Sequence, residues 1–286
     1  MKIKKAVIPV AGLGTRFLPY TKAIPKEMLP IIDLPAIHFI VQEAIDSGIE
    51  SILFITSKEK CSIEDYFDRN FYLEYFLNKN KKQDSLDEIK RIPENVNIFS
   101  VRQKEAMGLG HAILHAEDYI GNESFAVFLP DDLIFSKVPV MKQMIDIYAK
   151  YGKGVVAVEA VEKEKISSYG IIKPKTLAKN IYEVTDLAEK PPVKKAFSNL
   201  GIVGRYVVPS TIFTYIKNTK PGAKGEIQFT DALKTLMTVE GLLADEFEGV
   251  RCDTGDKFEY IMAILKYASM QEKYRDRLKK EIKKIF

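Results

Sequence analysis

The chain has 286 residues, of which 43 are basic and 39 acidic, and a net charge of +4 is too small to point to a nucleic-acid partner. Its 46% hydrophobic and 29% charged residues exclude a disordered chain, and no run nears the ~20 apolar residues of a membrane span, so neither a membrane nor a nucleic-acid role is expected. This length can bury a large core around one sheet, so a single domain over residues 1–286 is expected, with residues 258–286 as a helical tail. Cys61 and Cys252 are far apart and in no metal-like spacing, which speaks against a disulfide framework or zinc site and for a reducing cytoplasm. The basic start at residues 1–5 has the sign of a signal peptide, but Gly12 and Arg16 break the apolar run that follows.

Residues 6–10, Ala-Val-Ile-Pro-Val, are β-branched and bounded by turn residues, the pattern of a buried central strand. The loop after it holds Gly12 and Gly14, whose backbone can approach a bulky group and point amides at an anion, and then Arg16 and Lys26. Together these form a candidate polyphosphate cradle, although Gly-x-Gly alone also fits an ordinary strand-to-loop turn. Gly14-Thr15-Arg16 lacks the Gly-Lys-Ser/Thr of a Walker loop, and Phe17 stands where a dinucleotide fingerprint needs its third glycine. Pro35 and the spacing of Ile37, Ile40, Val41, Ala44 and Ile45 predict a helix ended by Gly48, and residues 52–56 a second strand. Strand, crossover helix and strand make a βαβ unit, so the fold is α/β, its sheet is at least partly parallel, and ligands are expected at the carboxyl edge.

Residues 63–77 read as a helical, aromatic segment with Tyr66, Phe67, Phe71, Tyr72, Tyr75 and Phe76. Aromatics among basic residues can stack on single-stranded nucleic acid. The helical spacing and the acidic Glu64, Asp65, Asp68 and Glu74 favour a packed face or subunit contact, with residues 78–83 as a solvated connection. A strand at 96–101 leads into Gln103 and Gly108 and then a helix to about Tyr119. Gln103 carries both a donor and an acceptor, as reading a pyrimidine edge requires, and Gly108 lets a base lie on the backbone; the bland reading is a glycine-containing helix start. Strand 125–129 ends in Pro130-Asp131-Asp132, where carboxylates at the ligand edge could hold Mg²⁺ or merely cap the next element. Strands at 155–161 and 181–186 lead into Tyr169-Gly170 and Glu189-Lys190-Pro191, where Lys194 and Lys195 read as surface charge. Residues 225–231 open a helix presenting Leu233, Leu236 and Met237 to the core, and their polarity suits a cap or a site equally. Residues 251–257 supply Asp253, and the lysines closing the tail suit a helix C-terminus.

The full stretch from residue 3 to 30, with its KAIPKEMLP extension, resembles the signature of the sugar-nucleotide pyrophosphorylases, in particular the bacterial UTP:glucose-1-phosphate uridylyltransferases. The resemblance runs through five motifs in order and implies a Rossmann-like nucleotidyltransferase fold, with a mixed, mostly parallel sheet flanked by helices. It implies that Ala11, Gly12 and Gly14 wrap the nucleoside triphosphate, that Arg16 and Lys26 hold its phosphates, and that Gln103 and Gly108 contact uracil. Asp131, directly after Pro130, and Asp253 match the metal carboxylates, which leaves Asp132 behind them or exposed. Gly170 and Glu189 match groups that bind glucose, Lys190 one that grips the sugar phosphate, and residues 198–206 a strand lining the sugar pocket.

No Ser or Cys nucleophile stands beside His38, His111 or His115, so a reaction that brings its own nucleophile is expected. A phosphate monoester, with about −1.5 to −2 charge near pH 7, is one. The expectation is Mg²⁺-dependent transfer from UTP to glucose 1-phosphate by a cytoplasmic homodimer or homotetramer. The alternatives are a pyrophosphorylase of dTDP-glucose or UDP-galactose type, or a non-catalytic regulatory protein of the same fold.

Overall fold

The computed structural model describes residues 2–91, 96–222 and 225–285. Nine strands form one sheet, in the order Asn97–Arg102, Ser51–Thr56, Lys5–Pro9, Phe125–Phe128, Leu200–Val208, Gly154–Ala160, Leu242–Glu246, Ile181–Glu189 and Gly170–Ala178. The first four run parallel, with Val7 opposite both Leu53 and Val127. The expectation of a mostly parallel sheet fails beyond them. Leu200–Val208 is antiparallel to both neighbours, Ile181–Glu189 is antiparallel to Leu242–Glu246 and to Gly170–Ala178, and only Gly154–Ala160 and Leu242–Glu246 add a parallel pair. The short link between Ile181–Glu189 and the strand before it is a hairpin turn, which permits only antiparallel pairing. Gly170–Ala178 also touches Leu200–Val208 through Ile171 and Gly201.

Both faces of the sheet are covered, because side chains alternate along each strand. Ala6 and Ile8 pack with Phe54, Phe128, and the helices Ala36–Asp46 and Val140–Tyr151. Val7, Leu53 and Val127 face the other way, against Leu109–Leu114, Ile212–Asn218 and Phe229–Val239. Leu233 and Leu236 are fully buried there, as their spacing predicts. Burial of Phe54, Phe125 or Phe128, each 0% exposed, stabilises the fold by about 2–3 kcal/mol.

Two helical predictions need correction. The aromatic segment is two helices, Cys61–Phe67 and Phe71–Lys79, separated at residues 68–70, with a third at Gln83–Arg91. Phe67 is buried, but Phe71, Tyr72 and Tyr75 stand 64–80% exposed, so they form no packed face within the chain. The tail is likewise two helices, Lys257–Met270 and Glu272–Ile285, interrupted by Gln271 in an extended conformation. Its last residue, Phe286, lies outside the described residues, as does Met1. Among the described residues no helix is long and apolar enough to cross a membrane.

Candidate active site

The parallel strands Lys5–Pro9, Ser51–Thr56 and Phe125–Phe128 release their loops at one edge, and the glycine loop lies there. Gly14 takes φ +64°, and a Cβ on it would sit 3.1 Å from Lys26 Cβ and Thr21 Cγ2, so a side chain at this position would be strained and crowded. Thr21 Oγ1 donates to the Gly14 carbonyl at 2.8 Å and closes the loop on itself. Among the described residues the backbone amides from Gly12 to Arg16 have no protein acceptor, which leaves a row of donors at the sheet edge.

A cavity of about 170 Å³ is lined by Gly14, Thr15, Arg16, Phe17, Lys26, Asp131 and Gly255. Lys26 Nζ donates to Asp131 Oδ2 at 2.8 Å, and Arg16 Nη1 to the Gly255 carbonyl at 3.4 Å. Asp253 Oδ1 accepts the Gly255 amide at 2.8 Å. A point one bond from Gly255 Cα lies 2.8 Å from Asp253 Oδ1, 3.1 Å from Arg16 Nη1 and 3.3 Å from Asp131 Oδ2. Arg16, Lys26 and Asp131 therefore line one cavity with Gly255, and Asp253, 237 positions from Arg16 in number, stands behind Gly255 at its edge.

The carboxylates at this edge differ in their titration. Burial opposes ionisation of Asp131, but the Lys26 ammonium outweighs it and holds its carboxyl below the usual range. Lys26 is itself pushed up, its burial being outweighed by Asp131 and then Glu27. Asp253 is raised to about 6 by burial and by repulsion from Asp132 and Asp131. Asp132, expected behind the others or exposed, is buried at 5% exposure; its Oδ2 accepts the Gly204 amide at 2.8 Å and its Oδ1 the Arg251 Nε proton. It lies directly opposite Asp253 on a two-stranded ribbon, Asp132–Phe135 with Val250–Asp253.

Arg205 clamps the loop from behind. Wholly buried in an otherwise apolar strand, it donates to the carbonyls of Asp132 at 2.7 Å, Gly204 at 3.0 Å and Leu129 at 3.3 Å. Its charge is met by Glu43 of the Ala36–Asp46 helix at 2.7 Å. From the other side, Thr254 donates both its amide and its hydroxyl to the Asp131 carbonyl, at 2.7 and 2.9 Å.

At the end of Asn97–Arg102, Gln103 is 9% exposed, its amide nitrogen 3.0 Å from His111 Nδ1. Burial and His115 keep His111 neutral more readily than usual, which suits a bare Nδ1 accepting that hydrogen and leaves the Gln103 carbonyl oxygen to be used elsewhere. Gly108 takes φ +94°, and a Cβ there would meet the Ile227 carbonyl at 2.9 Å, so its glycine is required by the 226–227 segment packed on it rather than by a base alone. Ile227 bonds both sides of the loop, donating to the Met107 carbonyl at 2.8 Å and accepting from Gly110 at 2.9 Å.

Gly170 and Glu189 face each other in the final hairpin. Thr230 Oγ1 donates to Glu189 Oε2 at 2.7 Å, and Lys190 Nζ stands 2.9 Å from Glu189 Oε1. The polar start of Phe229–Val239 thus touches the hairpin, while Gln228 makes no side-chain cap, so the capping reading fails. Lys190, 57% exposed at its side chain, lies outside the cavity around Asp131, and its backbone is tied to the Tyr169 carbonyl at 3.0 Å. Arg251 joins the two halves by donating to the Tyr169 hydroxyl at 3.2 Å and lying 3.7 Å from Asp253. Sequence reasoning left Thr230, within residues 225–231, undecided between cap and site, and missed the contacts of Arg205, Arg251 and His111; of these only Arg205 left a signal, a lone charge inside the apolar run 202–208.

The profile of the nucleotidyl transferase family matches residues 5–270. A UTP–glucose-1-phosphate uridylyltransferase of Bacillus subtilis, YngB, is 49% identical over 97% of this chain and 93% of its own length. A UTP-bound UGPase structure from Acinetobacter baumannii superposes with a TM-score of 0.91 at 43% identity, covering 98% of each chain. A UDP-glucose pyrophosphorylase crystallised with UDP-glucose gives 0.87 at 45% identity, covering 94% of this chain and all of that one. The chain belongs to the nucleotidyl transferase family and, within it, to the bacterial UTP–glucose-1-phosphate uridylyltransferases.

Proposed function

We propose that the protein transfers a uridylyl group from UTP to glucose 1-phosphate, giving UDP-glucose and pyrophosphate. The observation that carries the reading is the meeting of Arg16, Lys26 and Asp131 at one cavity, with Asp253 beside its Gly255 wall and free loop amides next to it, a site suited to a polyanion and a cation. The amides of residues 12–16 and Arg16 hold the triphosphate, Gln103 presents its free carbonyl oxygen to the uracil imide, and Gly170 and Glu189 bind glucose hydroxyls. Lys190 holds the sugar phosphate.

Asp131 and Asp253 would hold a divalent cation, which we take to be magnesium. They fit one: both carboxylates lie near a common point, burial and the charges of Asp132 and then Asp131 raise Asp253, and a cation between them would relieve the repulsion. Among the described residues no third acidic or imidazole ligand joins them, as expected for a metal whose remaining ligands are phosphate oxygens and water. When bound, the ion supplies positive charge to the phosphates as a Lewis acid. The residues themselves align two anions and offset their repulsion. An oxygen of the glucose 1-phosphate dianion attacks the α-phosphorus of UTP, the bond to the bridging β-phosphate oxygen breaks, and pyrophosphate leaves with that electron pair. No protein group need accept a proton.

We also read the chain as one nucleotidyltransferase domain that assembles with itself, a reading supported by the exposed Phe71, Tyr72 and Tyr75; light scattering of the purified protein tests this. The reaction is tested by pyrophosphate release with UTP or dTTP against glucose 1-phosphate or galactose 1-phosphate. UTP with glucose 1-phosphate should give the highest kcat/KM; equal rates across the panel, or none, would overturn the assignment.

A further inference from the structure

Arg251 sits in the Val250–Asp253 strand with its side chain only 7% exposed. Its Nε binds Asp132 Oδ1, its Nη1 donates to Glu159 Oε1 at 2.6 Å and to the Tyr169 hydroxyl at 3.2 Å, and its Nη2 stands 3.7 Å from Asp253 Oδ2. The guanidinium also lies over the Tyr169 ring, 5.3 Å from its centroid. A planar fork can serve these partners at once, where a lysine ammonium, a point charge, cannot.

The partners belong to different parts of the cleft. Asp132 and Asp253 face each other at the carboxylate end. Tyr169 begins the sugar hairpin: its carbonyl accepts the Lys190 amide at 3.0 Å, and the next residue, Gly170, pairs with Glu189. Lys190 has φ +44°, a conformation uncommon outside glycine, so its turn must be held by its surroundings, the bond to Tyr169 included.

We propose that Arg251 is a positioning residue which, through Tyr169, sets where Lys190 and Glu189 stand relative to Asp131 and Asp253. This rests on the transfer reaction proposed above. Arg251 acts on the acceptor side: its link to Tyr169 governs how the sugar phosphate is presented, while the glycine loop and Gln103 receive UTP without it.

Tyr169→Phe keeps the ring under the guanidinium and deletes only the hydroxyl; Arg251→Lys keeps a charge and deletes the fork. Tyr169→Phe should raise KM for glucose 1-phosphate about tenfold, the loss of one hydrogen bond to a charged group, and leave KM for UTP within about twofold. Arg251→Lys should act in the same direction and more strongly, and adding Tyr169→Phe to it should change nothing further. In the substrate-free protein, hydrogen exchange at the Lys190 amide should quicken about tenfold in Tyr169→Phe, because its bond to Tyr169 is loosened. KM values for both substrates rising together, additive effects of the two substitutions, or unchanged exchange at Lys190 would each overturn the proposal. Should Arg251→Lys fail to fold, Tyr169→Phe decides alone. Absence of pyrophosphate release by the unaltered protein would instead refute the transfer reaction, and the exchange measurement would still decide the role of Arg251.

Discussion

At one end of the cleft Asp131 and Lys26 are partly buried, paired and braced from behind; at the other Lys190 stands in solvent just past the open end of a hairpin. Asp131 bonds Lys26, and its loop is gripped by Arg205 on one side and Thr254 on the other. Among the described residues Lys190 has only its neighbour Glu189 for a counter-charge, and it is 57% exposed. Under the proposed reaction the difference follows from what each end would receive. Carboxylates gathered at a sheet edge repel one another, and only a stiff frame keeps them at a distance a cation can bridge. A sugar phosphate that comes and goes needs an accessible cation.

The largest effect is expected from Asp131→Asn, which removes the charge that Lys26 and a cation both use. Turnover should fall about 10³-fold, in line with losing a main electrostatic group of an active site, and a near-normal rate would remove Asp131 from the metal site. Breaking the brace comes next. Arg205→Met leaves Glu43 buried without its cation and takes a donor from the Asp132, Gly204 and Leu129 carbonyls, so stability in denaturant titration should fall by about 3–5 kcal/mol. A loss under 1 kcal/mol would show that the carboxylate end does not depend on its frame. At the open end, Lys190→Ala should lower kcat/KM for glucose 1-phosphate about 10²-fold while UTP affinity by calorimetry stays the same, with no loss of stability. Equal damage to both substrates would erase the division between the ends.

A smaller effect isolates what Lys26 does for Asp131. Asp245 is also buried, at 5% exposure, but among the described residues no cation offsets it and one carboxylate oxygen has no hydrogen-bond partner, and burial with Glu248 nearby raises its pKa to about 7. The two aspartates move in opposite directions because one has an ammonium beside it and the other does not. A folded pKa above the ordinary 3.8 means that the native state binds the proton more tightly. Its contribution to stability is therefore full below about pH 4 and lost as pH rises through about 7. Asp245→Asn should raise the melting temperature at pH 8, worth about 1–2 kcal/mol, and do little at pH 4. Equal shifts at both pH values would contradict this.

The parallel half of the sheet, its edge and the glycine loop were legible because their signals are local: β-branched runs, turn residues, and cations a few positions beyond a Gly-x-Gly. The antiparallel half was not: Leu200–Val208 reveals its direction only through pairings made in space, and the two-residue link that forces Gly170–Ala178 and Ile181–Glu189 to run antiparallel went unread. Gly108 was recognised as needing to be glycine for a reason that proved incomplete, because Ile227, 119 positions later, crowds it. Arg251 was hidden for the same reason: its partners Asp132, Glu159 and Tyr169 are scattered along the chain, and nothing near residue 251 announces them. The helical segments were overextended because residues 68–70 and Gln271 interrupt a periodicity that continues across them.

The central claim is that the two ends meet over a single nucleotide sugar, and the most direct measurement is a crystal structure with UDP-glucose and magnesium. The account predicts the ion bound by Asp131 and Asp253 at about 2.0–2.1 Å, with the pyrophosphate bridge beside it, uracil at Gln103 and the hexose against Glu189. Nucleotide sugar bound away from Asp131, or an ion held by neither carboxylate, would contradict it.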